Sequence, residues 1–296
     1  MIVRDTPSKA DLLFAVRGSI VPVIAPRVAF LAAVSAFIVV LHQQLDYFPA
    51  IDEFGFTIFG IALSLFLGFR NNAAYDRWWE ARQLWGGLLA DTRSLARETE
   101  IFVRDRQCRL AILRLALAFL HLHRRNLRGL QEDTAASMLA SDLVSAPHPP
   151  CAALDRMAAQ VSAAQASGAV DGFGARALAE RIASMTAQQA GCERIAGTPL
   201  PYVYSLLIYR TTYIYCLLLP LSLVEPAGWL TPVFVGIVGY VFLGLAEVSE
   251  ELAHPFGTTP NALPLDAICR AAEISLAPHL GEPAPPPLEA QNFYLS

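Results

Sequence analysis

Lysine is nearly missing from this chain. Lys9 is the single lysine among 22 basic residues, and 26 acidic residues leave a net charge of −4. Without a basic excess there is no electrostatic footprint for a phosphate backbone, so nucleic acid is excluded as a partner. Charge of either sign is scarce: 16% of residues are charged and 54% hydrophobic, where average soluble domains carry about 25% charged residues. That shortfall points to a chain partly in lipid. The five cysteines, Cys108, Cys151, Cys192, Cys216 and Cys269, form no CxxC pair. Zinc and redox motifs are therefore not suggested, and the scattered set fits buried thiols in a reducing compartment. Residues 75–198 contain no Gly-rich phosphate loop, no HExxH and no Ser/His/Asp or Cys/His set of interpretable spacing, which argues against an enzyme. His121 and His123 stand two apart on a helical pattern and diverge, so they read as core or surface residues and not as a metal pair. Neither a cofactor nor a metal is expected. The opening MIVRDTPSKADLLF lacks the basic-then-apolar layout of a cleaved signal peptide.

Long apolar runs are what the chain does have. Four stand out: 28–42, extended backwards through IVPVIAP; 54–69; 199–224, with one charge, Arg210; and 229–246. A spanning helix needs about 20 mostly apolar residues. Basic residues set the orientation. Arg4, Lys9, Arg17 and Arg27 precede the first run, and Arg70, Arg77, Arg82 and Arg93 follow the second; the connections 43–53 and 225–228 hold none. Both termini and the 70–198 region are thereby expected in the cytoplasm. Apolar residues at three and four spacing predict helix over most of 75–145, APHPP at 146–150 predicts a break, and 152–196 is again helical. The proline-rich tail 277–288 is expected to be extended.

The stretch LSLFLGFRNNAAYDRWWEARQLWG, 63–86, passes from apolar helix into charge and aromatics without a break in pattern. Gly60, Ser64 and Gly68 form a small stripe, and Ile61, Leu65 and Phe69 a large one. The small stripe lets a neighbouring helix approach closely. On periodicity alone the large stripe serves packing, lipid contact or a pore wall. Trp78, Trp79 and Arg77 fit an interfacial aromatic belt with a snorkelling arginine. Arg210 fits an interfacial position or a pairing with a membrane-base acid such as Glu247.

GFRNNAAYDRWWEAR at this position resembles the signature of the bestrophin family. EELAHPFG, 250–257, and TPLPYVY, 198–204, resemble two further bestrophin segments, in the same order relative to the apolar runs. The resemblance implies an all-α membrane protein. Four transmembrane helices per chain would extend into a large helical cytoplasmic region, assembled as a homopentamer around one axial pore. It divides the chain into a cytoplasmic N-terminal segment (1–27), two transmembrane helices with the pore neck (28–74), a helical cytoplasmic region (75–198), two further transmembrane helices (199–250) and a cytoplasmic C-terminal segment (251–296). By the resemblance, Ile61, Leu65 and Phe69 form a hydrophobic neck and Leu200, beside Thr198 and Pro199, a cytoplasmic aperture. Asn71 and Asn72 would line the inner vestibule. The expected partners are sister chains, membrane lipid and permeant monovalent ions, and the expected place is the bacterial inner membrane.

Animal bestrophins carry a calcium clasp after the third motif. Here TTPNALPLD, 258–266, offers the single carboxylate Asp266, whereas calcium takes roughly six to eight oxygens. No such clasp is expected, although Glu250, Glu251 and Asp266 are candidates to meet at the membrane base. Bacterial members resembling this chain are associated with cation conduction. Asp46, Asp52 and Glu53 in one outer connection and Glu225 in the other tilt the mouth the same way, because a ring of acids concentrates cations. A monovalent cation such as sodium is thus the first expectation. A chloride or other anion channel of the same fold is the alternative, and a membrane-anchored sensor or enzyme a remote one.

Overall fold

A computed structural model describes residues 1–4, 9, 14–16, 18–45 and 53–296. Among these residues the regular structure is helical, and the only strand-like pairings are isolated bridges, Ile2 with Tyr294 and Gln291 with Tyr294. The helices are α1 (Val21–Gln44), α2 (Glu53–Phe102), α3 (Arg106–Arg128), α4 (Thr134–Ala140), α5 (Pro149–Ala166), α6 (Gly172–Gly197), α7 (Tyr202–Ala227), α8 (Thr231–Ala253) and α9 (Leu265–Leu280). The chain forms two compact units. An apolar unit takes Asp5–Trp78 and Pro199–His254; an amphipathic unit takes Met1–Arg4, Trp79–Thr198 and Pro255–Ser296. Helix α2 starts in the first and finishes in the second.

Among the described residues three stretches are long and apolar enough to cross a membrane: Val21–Gln44, Phe54–Phe102, which runs on past the end of the apolar unit at Trp78, and Tyr202–Ala253. The third is a pair. A 3-10 turn, Gly228–Leu230, separates α7 from α8, and the two helices pack side by side, with α1 against both. Gly228 has φ +51, a conformation that favours glycine. Thr231 Oγ1 donates to the Leu223 carbonyl at 3.1 Å, so the end of α7 is not left unsatisfied. Pro220 and Pro226 lie inside α7, and Pro232 stands in the first turn of α8, where its missing N–H has no partner to lose. The core joins Ile24 and Leu31 of α1, Phe56, Leu63 and Leu67 of α2, Ile208, Tyr215 and Leu219 of α7, and Val235 and Leu243 of α8.

The small stripe on α2 behaves as expected at one position only. A Cβ on Gly60 would lie 2.6 Å from the Tyr215 hydroxyl, and that ring is held by Phe56 at 5.0 Å. The Tyr215 ring of α7 therefore lies against the α2 backbone at Gly60. Ser64 is exposed, and a Cβ on Gly68 would meet nothing.

The amphipathic unit is built around α3, which packs on α4, α5, α6 and α9. Asp105 caps α3 by accepting from the amides of Gln107 and Cys108, and Gly129, at φ +63, ends it. The alanine-rich stretch is two helices. Gly168 has φ +76 between them, and Asp171 accepts from the Gly174 amide at 2.7 Å to start α6. Four residues of the tail expected to be extended, 277–280, form the last turn of α9 instead. The carbonyls of Ala277 and Pro278 accept from the N–H of Gly281, at φ +72; irregular chain begins at Glu282.

Candidate functional site

Helix α2 carries the site, and its buried face decides which side chains are left over. Phe56, Leu63, Leu67, Arg70 and Ala74 are buried at alternating seven, four and three spacings. This stripe, not either of the two read from the sequence, is the one α2 turns towards its own chain. Ile61, Leu65 and Phe69 lie off it and are 58%, 57% and 66% exposed. Three large apolar side chains in one row are thus largely uncovered among the described residues. Phe69 also lines a cavity of about 200 Å³, together with Arg70, Ala73, Leu200, Pro201 and Tyr204. The cavity brings the expected neck residue Phe69 and the expected aperture residue Leu200 to one place. Asn71 lies next to it in sequence and accepts from Ser249 Oγ at 3.4 Å, while Asn72 is exposed. Asp46 and Asp52 lie outside the described residues, as does the Glu53 side chain; Glu225 is exposed at the end of α7.

Charge at the base of the apolar unit is more organised than the sequence indicated. Arg70 does not leave the apolar region for water. Its side chain is 1% exposed, and its guanidinium donates to Glu250 at 2.5 Å, to Ser205 Oγ at 3.0 Å and to the Ala246 carbonyl at 3.3 Å. Two turns on, Arg77 donates to the Ala253 carbonyl at 2.8 Å. Two arginines seven apart on α2 thereby meet two carbonyls seven apart on α8, and the second sits at the negative end of that helix. Glu247 pairs with Arg27 at 3.1 Å, next to the Tyr209 hydroxyl. The pairing of Glu247 with Arg210 does not form. Arg210 is exposed, while Arg27 of α1 meets Glu247 across the packed α1–α8 contact. Sequence reasoning overlooked the Arg70–Glu250 pair. The signal was present: Arg70 continues the spacing of Phe56, Leu63 and Leu67, and a cation on a buried stripe needs a counter-charge.

Asp266 sits in the amphipathic unit and is held by two guanidiniums, Arg124 at 2.8 Å and Arg128 at 2.7 Å, with Arg124 also on Asp133. Burial raises the Asp266 carboxyl, but the hydrogen bond and charge of Arg128 outweigh it, with Arg124 adding to them, and hold it below the usual range. Both its oxygens serve ion pairs. Glu250 answers to Arg70, so Glu250 and Asp266 are engaged by different arginines. His121 bonds to Glu273 at 2.7 Å, and His123 stacks between Trp85 and Phe119. Among the described residues no three His, Cys, Asp or Glu side chains gather as metal ligands.

Long apolar helices, an uncovered apolar row and a charged base define a membrane protein. The comparisons make the class specific. The sequence profile of the family described as "Bacterial/Fungal Bestrophin protein" matches residues 1–278. A voltage-dependent anion channel-forming protein of Mesorhizobium japonicum is 46% identical over 100% of this chain and 97% of its own length. A protein of the same description from Escherichia coli K12 is 36% identical over 93% of each chain. The crystal structure of a bacterial bestrophin homologue from Klebsiella pneumoniae superposes with a TM-score of 0.82 at 29% identity, covering 88% of this chain and 99% of that one. The chain belongs to the bestrophin family of ion channels and carries its all-helical fold.

Proposed function

We propose that the chain assembles as a homopentamer around one axial pore and passes small monovalent anions such as chloride across the bacterial inner membrane. In this reading α1, the first half of α2, α7 and α8 are four crossings, the amphipathic unit and both termini are cytoplasmic, and lipid covers the outer apolar faces. Five copies of Ile61, Leu65 and Phe69 form a dry neck that gates by wetting and dewetting. Leu200 narrows the cytoplasmic aperture, and Asn71 and Asn72 face the vestibule. The observation that carries this reading is the uncovered row Ile61, Leu65, Phe69, ending on the cavity that Leu200 shares.

Anions replace the sodium expectation because relatives covering nearly the whole chain are named for anion channel formation. Asp46, Asp52, Glu53 and Glu225 remain the features of the sequence that favour a cation. Recording from purified protein in a planar bilayer under a sodium chloride gradient separates the two. Reversal near the chloride equilibrium potential is expected. Reversal near the sodium value would restore the cation reading, and absence of current above empty-bilayer controls would remove the channel reading for this chain.

A further inference from the structure

The geometry points to Arg70 as a binding residue for small monovalent anions, with Glu250 as a resident counter-ion that the anion displaces. This deepens the proposed function, since it places a site for the permeant ion beside Phe69. Three observations carry it. First, the pair is asymmetric: the Arg70 side chain is 1% exposed and that of Glu250 is 43% exposed. The cation belongs to the protein interior, whereas its partner stands at the edge, where an anion from solution competes with it. Second, Arg70 lines the cavity of about 200 Å³ whose remaining walls, Phe69, Ala73, Leu200, Pro201 and Tyr204, bring no charged side chain. In such surroundings a guanidinium is the only group with a strong claim on an ion, and that ion is negative. Third, the buried Arg70 Nε–H has no hydrogen-bond partner among the described residues. A buried donor left unused is a position that a ligand fills at a gain.

Glu250 is suited to yield. Its Oε2 meets Arg70, while its Oε1 lies 3.9 Å from His254 Nδ1, which itself bonds to the Glu250 carbonyl at 3.0 Å. When Glu250 swings away, Arg70 keeps its bonds to Ser205 and to the Ala246 carbonyl, so the guanidinium stays in place. A purely structural ion pair predicts the opposite: a brace between α2 and α8 that permeating ions never meet.

The test uses the full-length purified channel. Crystals grown with bromide in place of chloride are measured for anomalous scattering, and single-channel conductance is titrated with chloride in wild type, Glu250→Gln and Arg70→Lys. Bromide within contact of the Arg70 guanidinium is expected. Glu250→Gln removes the competitor and lowers the half-saturating chloride concentration about tenfold, the size of one charge-assisted hydrogen bond. Arg70→Lys keeps the charge but loses the fork and raises it. Size-exclusion profiles equal to wild type establish that both variants assemble. No bromide at Arg70, together with an unchanged chloride dependence in Glu250→Gln, overturns the inference while leaving anion permeation standing. Bromide at Arg70 in a channel that reverses at the sodium potential supports the site and defeats the anion reading.

Discussion

His123 shows how one residue can tie stability to pH. It stacks on Trp85 at 5.6 Å and on Phe119 at 5.7 Å and is wholly buried. Burial, with a smaller push from the charge of His148, lowers its pKa from 6.5 to about 3. The folded state therefore refuses a proton that the unfolded state takes up below 6.5, so this residue favours folding at neutral pH and opposes it increasingly in acid. Roughly 2 kcal/mol of stability should be lost between pH 7 and pH 5 from this group. His123→Phe keeps the stack and should flatten that part of a Tm-against-pH curve; an unchanged slope would show that other groups cause it. Asp266 works in a lower window. Its carboxyl is held below the usual range, so its contribution is intact above the unfolded carboxylate value and fails only as pH drops through the lower, folded one. Asp266→Asn strips the carboxylate from the nearly buried Arg128 and leaves Arg124 with Asp133 alone, and should cost about 3 kcal/mol, read as a large fall in Tm at neutral pH.

At the scale of the element, α2 is the informative one. Its 50 residues run without a break from Glu53 to Phe102. The buried positions Phe56, Leu63, Leu67, Arg70, Ala74, Ala81, Trp85, Leu88, Thr92, Leu95 and Thr99 keep three, four and seven spacing over its length, close to the 3.5-residue period of a packed seam. The sequence showed two apolar stripes between 60 and 69, and either could have faced the core. The buried one is a third, displaced by two residues from Ile61 and Leu65 and by one from Phe69. Phase therefore separates the buried stripe from the exposed row within a few residues. Leu67→Ala empties a fully buried place and should destabilise the protein by about 2 kcal/mol or more, lowering Tm. Leu65→Ala lies on the uncovered row and should leave Tm within a few degrees of wild type while raising conductance or open probability in bilayer recordings. The same Tm loss for both substitutions would place Leu65 in the core. Gly60→Ala belongs with Leu67: its new methyl meets the Tyr215 hydroxyl, and a Tyr215→Phe background should relieve the clash and recover part of the loss in Tm.

For the whole molecule, the proposed assembly predicts a particle of five chains of 32.2 kDa each, to be measured by light scattering in detergent after correction for the micelle. A monomer or dimer would leave the apolar row of α2 for lipid to cover. Much of this protein was legible in its residues alone. The apolar runs, the helical repeats and the three ordered motifs identify an all-helical membrane protein of the bestrophin family, because lipid forces the backbone to bond within each helix and helical periodicity is written locally. The candidate row Ile61, Leu65, Phe69 was legible too, as a spacing. What spacing cannot say is which face meets what. That Arg70 is buried against Glu250, that Arg27 and not Arg210 takes Glu247, that Asp266 is shared by two arginines, and that Phe69 and Leu200 line one cavity all depend on residues more than a hundred positions apart in sequence coming within a few ångströms. Local pattern specifies helices and their greasy sides. Only the packing of helices on one another selects the partner of each charge, because several acids and arginines of equal chemical merit compete for the same bond and distance decides between them.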